Sequence, residues 1–186
     1  MALHDRPTRL TYDDFVLFPE DGLRHEILDG EHYVSAAPYL RHQTVLGELH
    51  ATLHAFLKAN RYGRLFVAPA DVLLSRHDIV EPDLVFVSNE RLDILTEKNI
   101  QGAPDLVVEV LSSGTKQIDQ GLKLERYERF GVQEYWIVDP NRNTITLYRL
   151  EGERYEKVAV LSVEAGDVLQ TPLLPGLELR LTEVFA

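Results

Sequence analysis

A single carboxylate inside an apolar stretch is the first sign of chemistry in this sequence. Glu109 lies in residues 104–111, which read Pro-Asp-Leu-Val-Val-Glu-Val-Leu. A stretch that is apolar on both alternating faces is typical of a central strand covered on both sides of its sheet. A carboxylate there loses its hydration, which is costly unless a cation, a metal or a proton neutralises it. We therefore expect a charged partner beside Glu109.

Two aspartates that follow prolines could act with Glu109. Asp105 would share a strand with Glu109, at a distance of roughly 13 Å given a rise of about 3.3 Å per residue. One metal cannot bridge that distance, because its ligand bonds are only about 2.0–2.6 Å long. Asp83 lies in a second apolar stretch, 79–87, which we predict as another strand whose lateral neighbours are roughly 5 Å apart. Asp83 is thus the better partner, and Asp105 is predicted to mark the strand entrance.

Lys123 is the candidate cation. It lies on a helix predicted over 116–130, in one row with Asp119 and Tyr127 at spacings of four residues. The row adjoins apolar positions, so Lys123 is predicted to point inward. Two carboxylates and a lysine from adjacent elements suit a divalent metal that activates water beside a phosphodiester. The alternative is a plain ion pair that stabilises Glu109 or Asp119.

Two further residues could contribute to the same site. His42 shares the apolar arc of its helix and is predicted to face the sheet, either as a hydrogen-bonded core residue or as a metal ligand, phosphate contact or proton carrier. Glu26, near the end of a hairpin strand, could complete an acidic cluster or be a solvated strand carboxylate. His50 and His54 have the spacing of zinc ligands, but the glutamate of a metalloprotease helix is missing between them.

Length, charge and composition limit the possible functions. The 186 residues, 45% of them hydrophobic, predict one soluble domain over residues 1–186. The chain has no cysteine, which excludes a disulfide framework and a thiolate metal site. A net charge of −11 argues against broad nonspecific adhesion to nucleic acid, although a locally basic groove is compatible with it. With no signal-peptide features and no stretch apolar enough to span a bilayer, we expect a cytoplasmic protein without membrane contact.

Periodicity and turn signals predict an α/β or α+β sheet domain with helices on its faces. In chain order, the predicted elements are a short helix capped at Thr11 and ending at Pro19, a hairpin around Asp29-Gly30, a helix over 39–60, strands at 64–68, 71–75 and 79–87, a short helix near 90–95, the Glu109 strand, a helix over 116–130 ended by Gly131, a strand at 133–138, a hairpin of 143–150 with 155–161, and short strands in the tail.

The pattern of these residues resembles the PD-(D/E)XK nuclease superfamily and, within it, the Uma-type family, which is named as putative restriction endonucleases. The matching segments are 25–31, His42, 82–85, 104–112, Asp119, Lys123, Tyr127 and 131–140. The resemblance implies a restriction-endonuclease-like mixed β-sheet core flanked by helices, with additional N- and C-terminal β-strands. It also implies an Mg²⁺- or Mn²⁺-dependent endonuclease that hydrolyses DNA phosphodiester bonds.

The resemblance also assigns roles to residues. Asp83 and Glu109 become the two metal-binding acids, and the peptide carbonyl of Val110 becomes a further metal contact. The superfamily lysine is expected two residues after the second acid, where this chain has Leu111, so Lys123 is interpreted as a migrated lysine.

Restriction-type nucleases often form dimers, so we expect a homodimer. Exposed aromatic residues around Tyr135 and Trp136, together with the C-terminal strands, could form its interface, although Trp136 is most simply a core or interface residue. The competing hypothesis is a catalytically silent dimeric binding or assembly module that retains the nuclease fold, and the strong negative charge motivates it.

Overall fold

The computed structural model describes residues 9–112, 114 and 116–186, which fold into two mixed β-sheets and a two-stranded antiparallel sheet, with helices packed around them. The helical segments are α1 (Tyr12–Phe15), α2 (Leu40–Asn60), a 3-10 helix (Asn89–Ile94), α3 (Lys116–Ile118), a π-helical segment (Asp119–Lys123), α4 (Leu124–Phe130) and α5 (Leu181–Val184). The strands are β1 (Arg24–Leu28), β2 (Glu31–Ser35), β3 (Gly63–Val67), β4 (Val72–Ser75), β5 (Asp78–Val80), β6 (Leu84–Ser88), β7 (Ile100–Gln101), β8 (Leu106–Val110), β9 (Glu134–Asp139), β10 (Thr144–Glu151), β11 (Arg154–Ser162), β12 (Val168–Leu169) and β13 (Leu179–Arg180).

The larger sheet has six strands in the order β11-β10-β9-β8-β6-β3, and only β8 and β9 run parallel in it. The second sheet has five strands in the order β2-β1-β5-β4-β7, with β4 and β7 parallel. The predicted α/β fold, with a mixed sheet, flanking helices and extra strands at both ends, is confirmed. The single domain over residues 1–186 stays a prediction.

Strand β8 is central, and its alternating residues belong to two separate cores. Leu106 and Val108 pack in the core beneath α2 and the C-terminal segment. Val107 packs on the opposite face, in the core formed with the five-stranded sheet and α4. Because successive side chains of a strand alternate between faces, Glu109 lies on the same face as Val107. It therefore points into this second core, between the six-stranded sheet and the layer formed by the five-stranded sheet and α4.

The strand predicted over 79–87 is wrong in one respect: it is two strands in two different sheets. β5 belongs to the five-stranded sheet and β6 to the six-stranded sheet, and residues 81–83 connect them. Pro82 lacks the N–H that a continuous ladder requires and has a fixed φ, so a break at this point is physically reasonable. Leu84 pairs with Val108, and extending this antiparallel register by one residue puts Asp83 opposite Glu109.

Most of the remaining predicted elements are present, with two corrections. The Thr11 cap is confirmed, because its hydroxyl and N–H both bond to Asp14 at 2.8 Å, but the helix ends at Phe15 rather than Pro19. The helix predicted over 116–130 contains a π-helical segment between two α-helical ones. Its predicted glycine end is confirmed, since Gly131 has a φ of 83°.

The expectation of exposed aromatic residues near Tyr135 and Trp136 is wrong. Both side chains are 0% exposed. They belong to β9, which lies inside the six-stranded sheet. Trp136 packs in the core under α2, and Tyr135 packs against Tyr127. These residues therefore cannot form a dimer interface, and the homodimer itself stays a prediction. Among the described residues no helix is long and apolar enough to cross a membrane.

Candidate active site

Glu109 has the charged partner that its burial requires. Its Oε1 accepts hydrogen bonds from the Lys123 ammonium at 2.9 Å and from the Tyr127 hydroxyl at 2.9 Å. Burial raises the pKa of Glu109 above its usual value, and the charge of Lys123 acts in the opposite direction because it favours the ionised carboxylate. The carboxylate is thus held between two donors from the helix that follows its strand.

Lys123 is 1% exposed, so the amine points inward as the helical spacing predicts. Its Nζ lies 2.8 Å from Glu26 Oε1, 2.9 Å from Glu109 Oε1 and 3.4 Å from Asp119 Oδ1. Burial opposes the charge on Lys123, but these three carboxylates outweigh it and raise its pKa well above the usual value. The lysine is a fixed ammonium group that joins β1, β8 and the π-helical segment.

Glu26 is buried, so its interpretation as a solvated strand carboxylate is wrong. Besides Lys123, its Oε1 accepts a hydrogen bond of 2.9 Å from the Glu81 backbone N–H. The side chain therefore links the five-stranded sheet to the connection between β5 and β6, and it belongs to the acidic cluster around Lys123.

Asp83 is buried at the point where the chain crosses between the sheets, and donors surround it. Its Oδ1 pairs with Arg24 Nη2 at 2.8 Å, and its Oδ2 accepts the Val110 N–H at 2.8 Å and lies 3.1 Å from His42 Nε2. Burial alone would raise the pKa of Asp83, but the His42 hydrogen bond and the Arg24 charge lower it to about 2. Asp83 is therefore ionised at neutral pH.

His42 and Val110 both reach Asp83. His42 is buried near the start of α2, and its bond to Asp83 makes it at once a core residue and a neighbour of the site. The N–H and C=O of one strand residue point to the same side, so the Val110 carbonyl is directed to the side of β8 where Asp83 lies. By contrast, Asp105 accepts the Ser88 N–H at 2.7 Å, at the start of β8, which fits the predicted strand entrance.

A cleft of about 390 Å³ opens onto these groups. Its walls are residues 35–38 and 67–69, and its polar lining includes Arg24, His42, Glu81, Asp83 and Glu109. Glu81 is only partly buried, and burial together with the nearby charge of Asp71 raises its pKa to about 7. The two predicted acids thus share one solvent-facing cavity.

Sequence reasoning missed Arg24 and Glu81. Arg24 and Glu26 lie two residues apart on one strand and share a face, and this spacing is a sequence signal that links Arg24 to the site. Glu81 was hidden by its position in a stretch interpreted as continuous strand. The zinc-ligand spacing of His50 and His54 stays untested: their ring centroids are 5.5 Å apart, and no third His, Cys, Asp or Glu among the described residues groups with them.

The donor atoms of the cleft fit a divalent metal. The carboxylates of Asp83 and Glu109 and the carbonyl of Val110 are hard oxygen ligands, which Mg²⁺ and Mn²⁺ prefer. Residues 9–112, 114 and 116–186 contain no cluster of three or more His, Asp and Glu side chains suited to hold a metal. Mg²⁺ does not require one, because it usually keeps several waters and binds one or two carboxylates.

Comparison with known proteins gives a family and a fold. A family model described as "Uma2: Putative restriction endonuclease" matches residues 12–182. A crystal structure from Anabaena variabilis ATCC 29413, described as a putative nuclease belonging to DUF820, is similar at a TM-score of 0.78 and 23% sequence identity, covering 95% of this chain and 97% of that chain. No curated protein matches the sequence.

Proposed function

The chain belongs to the Uma2 family, and from this premise we propose that it is a metal-dependent endonuclease that hydrolyses DNA phosphodiester bonds. One observation carries the proposal. Two buried acids that are far apart in sequence, Asp83 and Glu109, line the same cleft, and a buried lysine contacts the second of them. A structural ion pair alone would not require two acids to share a cavity open to solvent.

Asp83, Glu109 and the Val110 carbonyl are the groups that would hold Mg²⁺ or Mn²⁺. When bound, such a metal supplies Lewis-acid polarisation of the phosphate and lowers the pKa of a coordinated water. The protein's contribution is to hold both acids in fixed positions at the lining of one cleft.

Lys123 would orient the attacking water or neutralise the charge that develops on the phosphoryl oxygens. Its three carboxylate contacts keep the ammonium in one position, which is the preorganisation that such a role needs. His42 acts through Asp83, and Glu26 acts through Lys123. Both are therefore positioning residues in this proposal.

The test is a plasmid-nicking assay with the pure protein and either Mg²⁺ or Mn²⁺. We expect metal-dependent relaxation of supercoiled plasmid by the wild type and its loss in Asp83→Asn and Glu109→Gln. Two matched controls are Asp78→Asn and Glu134→Gln, because both acids are as buried as the candidates but do not line the cleft. Both controls should still cleave once corrected for any loss of folded protein.

Equal cleavage by wild type and Asp83→Asn would indicate a contaminating nuclease and contradict the proposal. The second candidate, a silent binding or assembly module, is favoured by the contacts of Asp83, because protein donors already bond both of its oxygens. That candidate predicts no cleavage and no increase in thermal stability with Mn²⁺, since a ligand that does not bind cannot stabilise the folded state.

A further inference from the structure

Arg24 provides the positive charge that the buried carboxylate of Asp83 needs. Its Nη2 is 2.8 Å from Asp83 Oδ1, and its side chain is 21% exposed and lines the cleft. Asp83 by comparison is 1% exposed. The pair therefore joins a buried acid to an arginine whose side chain can still reach solvent.

The charges in the cleft make this arginine stand out. Among the cleft-lining residues that the structure describes, Arg24 is the only arginine or lysine, whereas Glu81, Asp83 and Glu109 are all acids. Lys123 is not one of these cleft-lining residues, and its ammonium lies against three carboxylates. A nucleic-acid phosphate that enters this cleft has one guanidinium to meet, and that guanidinium is paired with the acid.

We propose that Arg24 is an exchangeable counter-ion: it neutralises Asp83 in the metal-free protein, and a divalent cation displaces it, so that the guanidinium is free to bind a backbone phosphate of the nucleic acid. This inference rests on the proposed function for the identity of the substrate. It assigns Arg24 as a substrate-binding residue that sequence reasoning did not select.

Physical chemistry favours both halves of the exchange. A buried carboxylate needs a counter-charge at all times, and either the guanidinium or a divalent metal can provide it, but both cations at one oxygen repel each other. Once released, a guanidinium offers a planar fork of N–H donors that matches two phosphate oxygens. Because the pair lies at the cleft lining, the group can turn toward a phosphate without unfolding a strand.

The first experiment measures Mn²⁺ affinity by isothermal titration calorimetry in the absence of nucleic acid. Arg24→Gln should bind Mn²⁺ on the order of tenfold more tightly than wild type, because the cation that competes for Asp83 is gone and coupling between competing partners is typically of this size. Arg24→Lys is the matched control, since it keeps the positive charge and should stay near wild type. The double variant Arg24→Gln/Asp83→Asn should lose the gain. Unchanged or weaker affinity in Arg24→Gln would overturn the exchange.

The second experiment measures binding of a short fluorescein-labelled DNA duplex by anisotropy over a salt series, with Ca²⁺ replacing Mg²⁺ to slow hydrolysis. Arg24→Gln should bind more weakly, and the negative slope of log affinity against log salt should become shallower by about 0.9, which corresponds to one lost phosphate contact. An unchanged slope would overturn the phosphate contact.

A third measurement needs no variant and therefore does not depend on whether Arg24→Gln folds. In wild-type protein, the side-chain NMR resonance of Arg24 Nε should shift when Mg²⁺ is added. A resonance that does not respond to saturating Mg²⁺ would overturn the proposal.

These outcomes are separable from those of the proposed function. Tighter Mn²⁺ binding and a smaller salt slope in Arg24→Gln, with no plasmid cleavage by wild type, would support the exchange and contradict the nuclease. Cleavage by wild type, with unchanged Mn²⁺ affinity in Arg24→Gln, would support the nuclease and contradict the exchange.

Discussion

Removing the Lys123 charge should destabilise the protein strongly, because it leaves three buried carboxylates without their shared cation. Lys123→Met keeps most of the side-chain volume but deletes the ammonium that contacts Glu26, Glu109 and Asp119 at 2.8–3.4 Å. Breaking a buried ion pair by removing one partner costs about 3–5 kcal/mol. In a chain of this length 1 kcal/mol shifts the Tm by about 2–4 °C, so we expect a decrease of about 6–20 °C.

The assay is thermal and urea unfolding followed by circular dichroism, with two comparison variants. Lys116→Met is the matched control, because Lys116 pairs with Asp139 at 3.2 Å but its side chain is 44% exposed. Exposed pairs contribute about 0–1 kcal/mol, so this control should change little. In the double variant Lys123→Met/Glu109→Gln, the Glu109 charge is removed together with the ammonium, and about 1–3 kcal/mol of stability should return.

A Lys123→Met protein within about 1 kcal/mol of wild type would refute this reasoning. So would a double variant whose loss equals the sum of the two single losses, because residues that share a buried ion pair should not behave additively. Either result would mean that the Lys123 ammonium does not neutralise the three carboxylates. It would then also contradict the proposal that these carboxylates hold the ammonium in a preorganised position.

Three further changes test the framework that holds the site. In urea unfolding, Gly63→Ala should destabilise the protein by about 1–3 kcal/mol, because a Cβ at that position would lie 2.1 Å from the Val87 carbonyl oxygen. Gly47→Ala on α2 should instead stabilise the protein by about 0.5–1 kcal/mol in the same assay, because a Cβ there meets nothing within 4 Å. Arg149→Met should cost about 3–5 kcal/mol in urea unfolding, since it removes a pair at 2.8 Å from the buried Glu134, and a loss below about 1 kcal/mol would contradict that reasoning.

Local patterns predicted most elements of the fold because their causes are local. The hairpin around Asp29 and Gly30 needs two residues at positive φ, and the sequence offers a pair that readily adopts it; the two angles are 54° and 82°. The long apolar arc predicted over 39–60 corresponds to α2. The break at Pro82 was not predicted, because an apolar stretch that passes from one sheet to another looks the same in sequence as one continuous strand.

The site was predictable in part for a similar reason. Glu109 was identifiable because a carboxylate in an apolar strand demands a partner, and helical spacing brought Lys123 toward it. Arg24 was not identified, because an arginine at the first position of a hairpin strand ordinarily points to solvent. Its partner lies 59 residues away, so only the packing of the two sheets brings Arg24 and Asp83 together.

The central claim is that Asp83 and Glu109 hold one divalent cation in the cleft, and a crystal soaked in Mn²⁺ tests it most directly. The account predicts an anomalous peak about 2.0–2.6 Å from a carboxylate oxygen of each residue, with the Arg24 guanidinium moved away from Asp83. Ordered Asp83 and Glu109 side chains with no anomalous peak between them, and Arg24 still paired with Asp83 at saturating Mn²⁺, would contradict it.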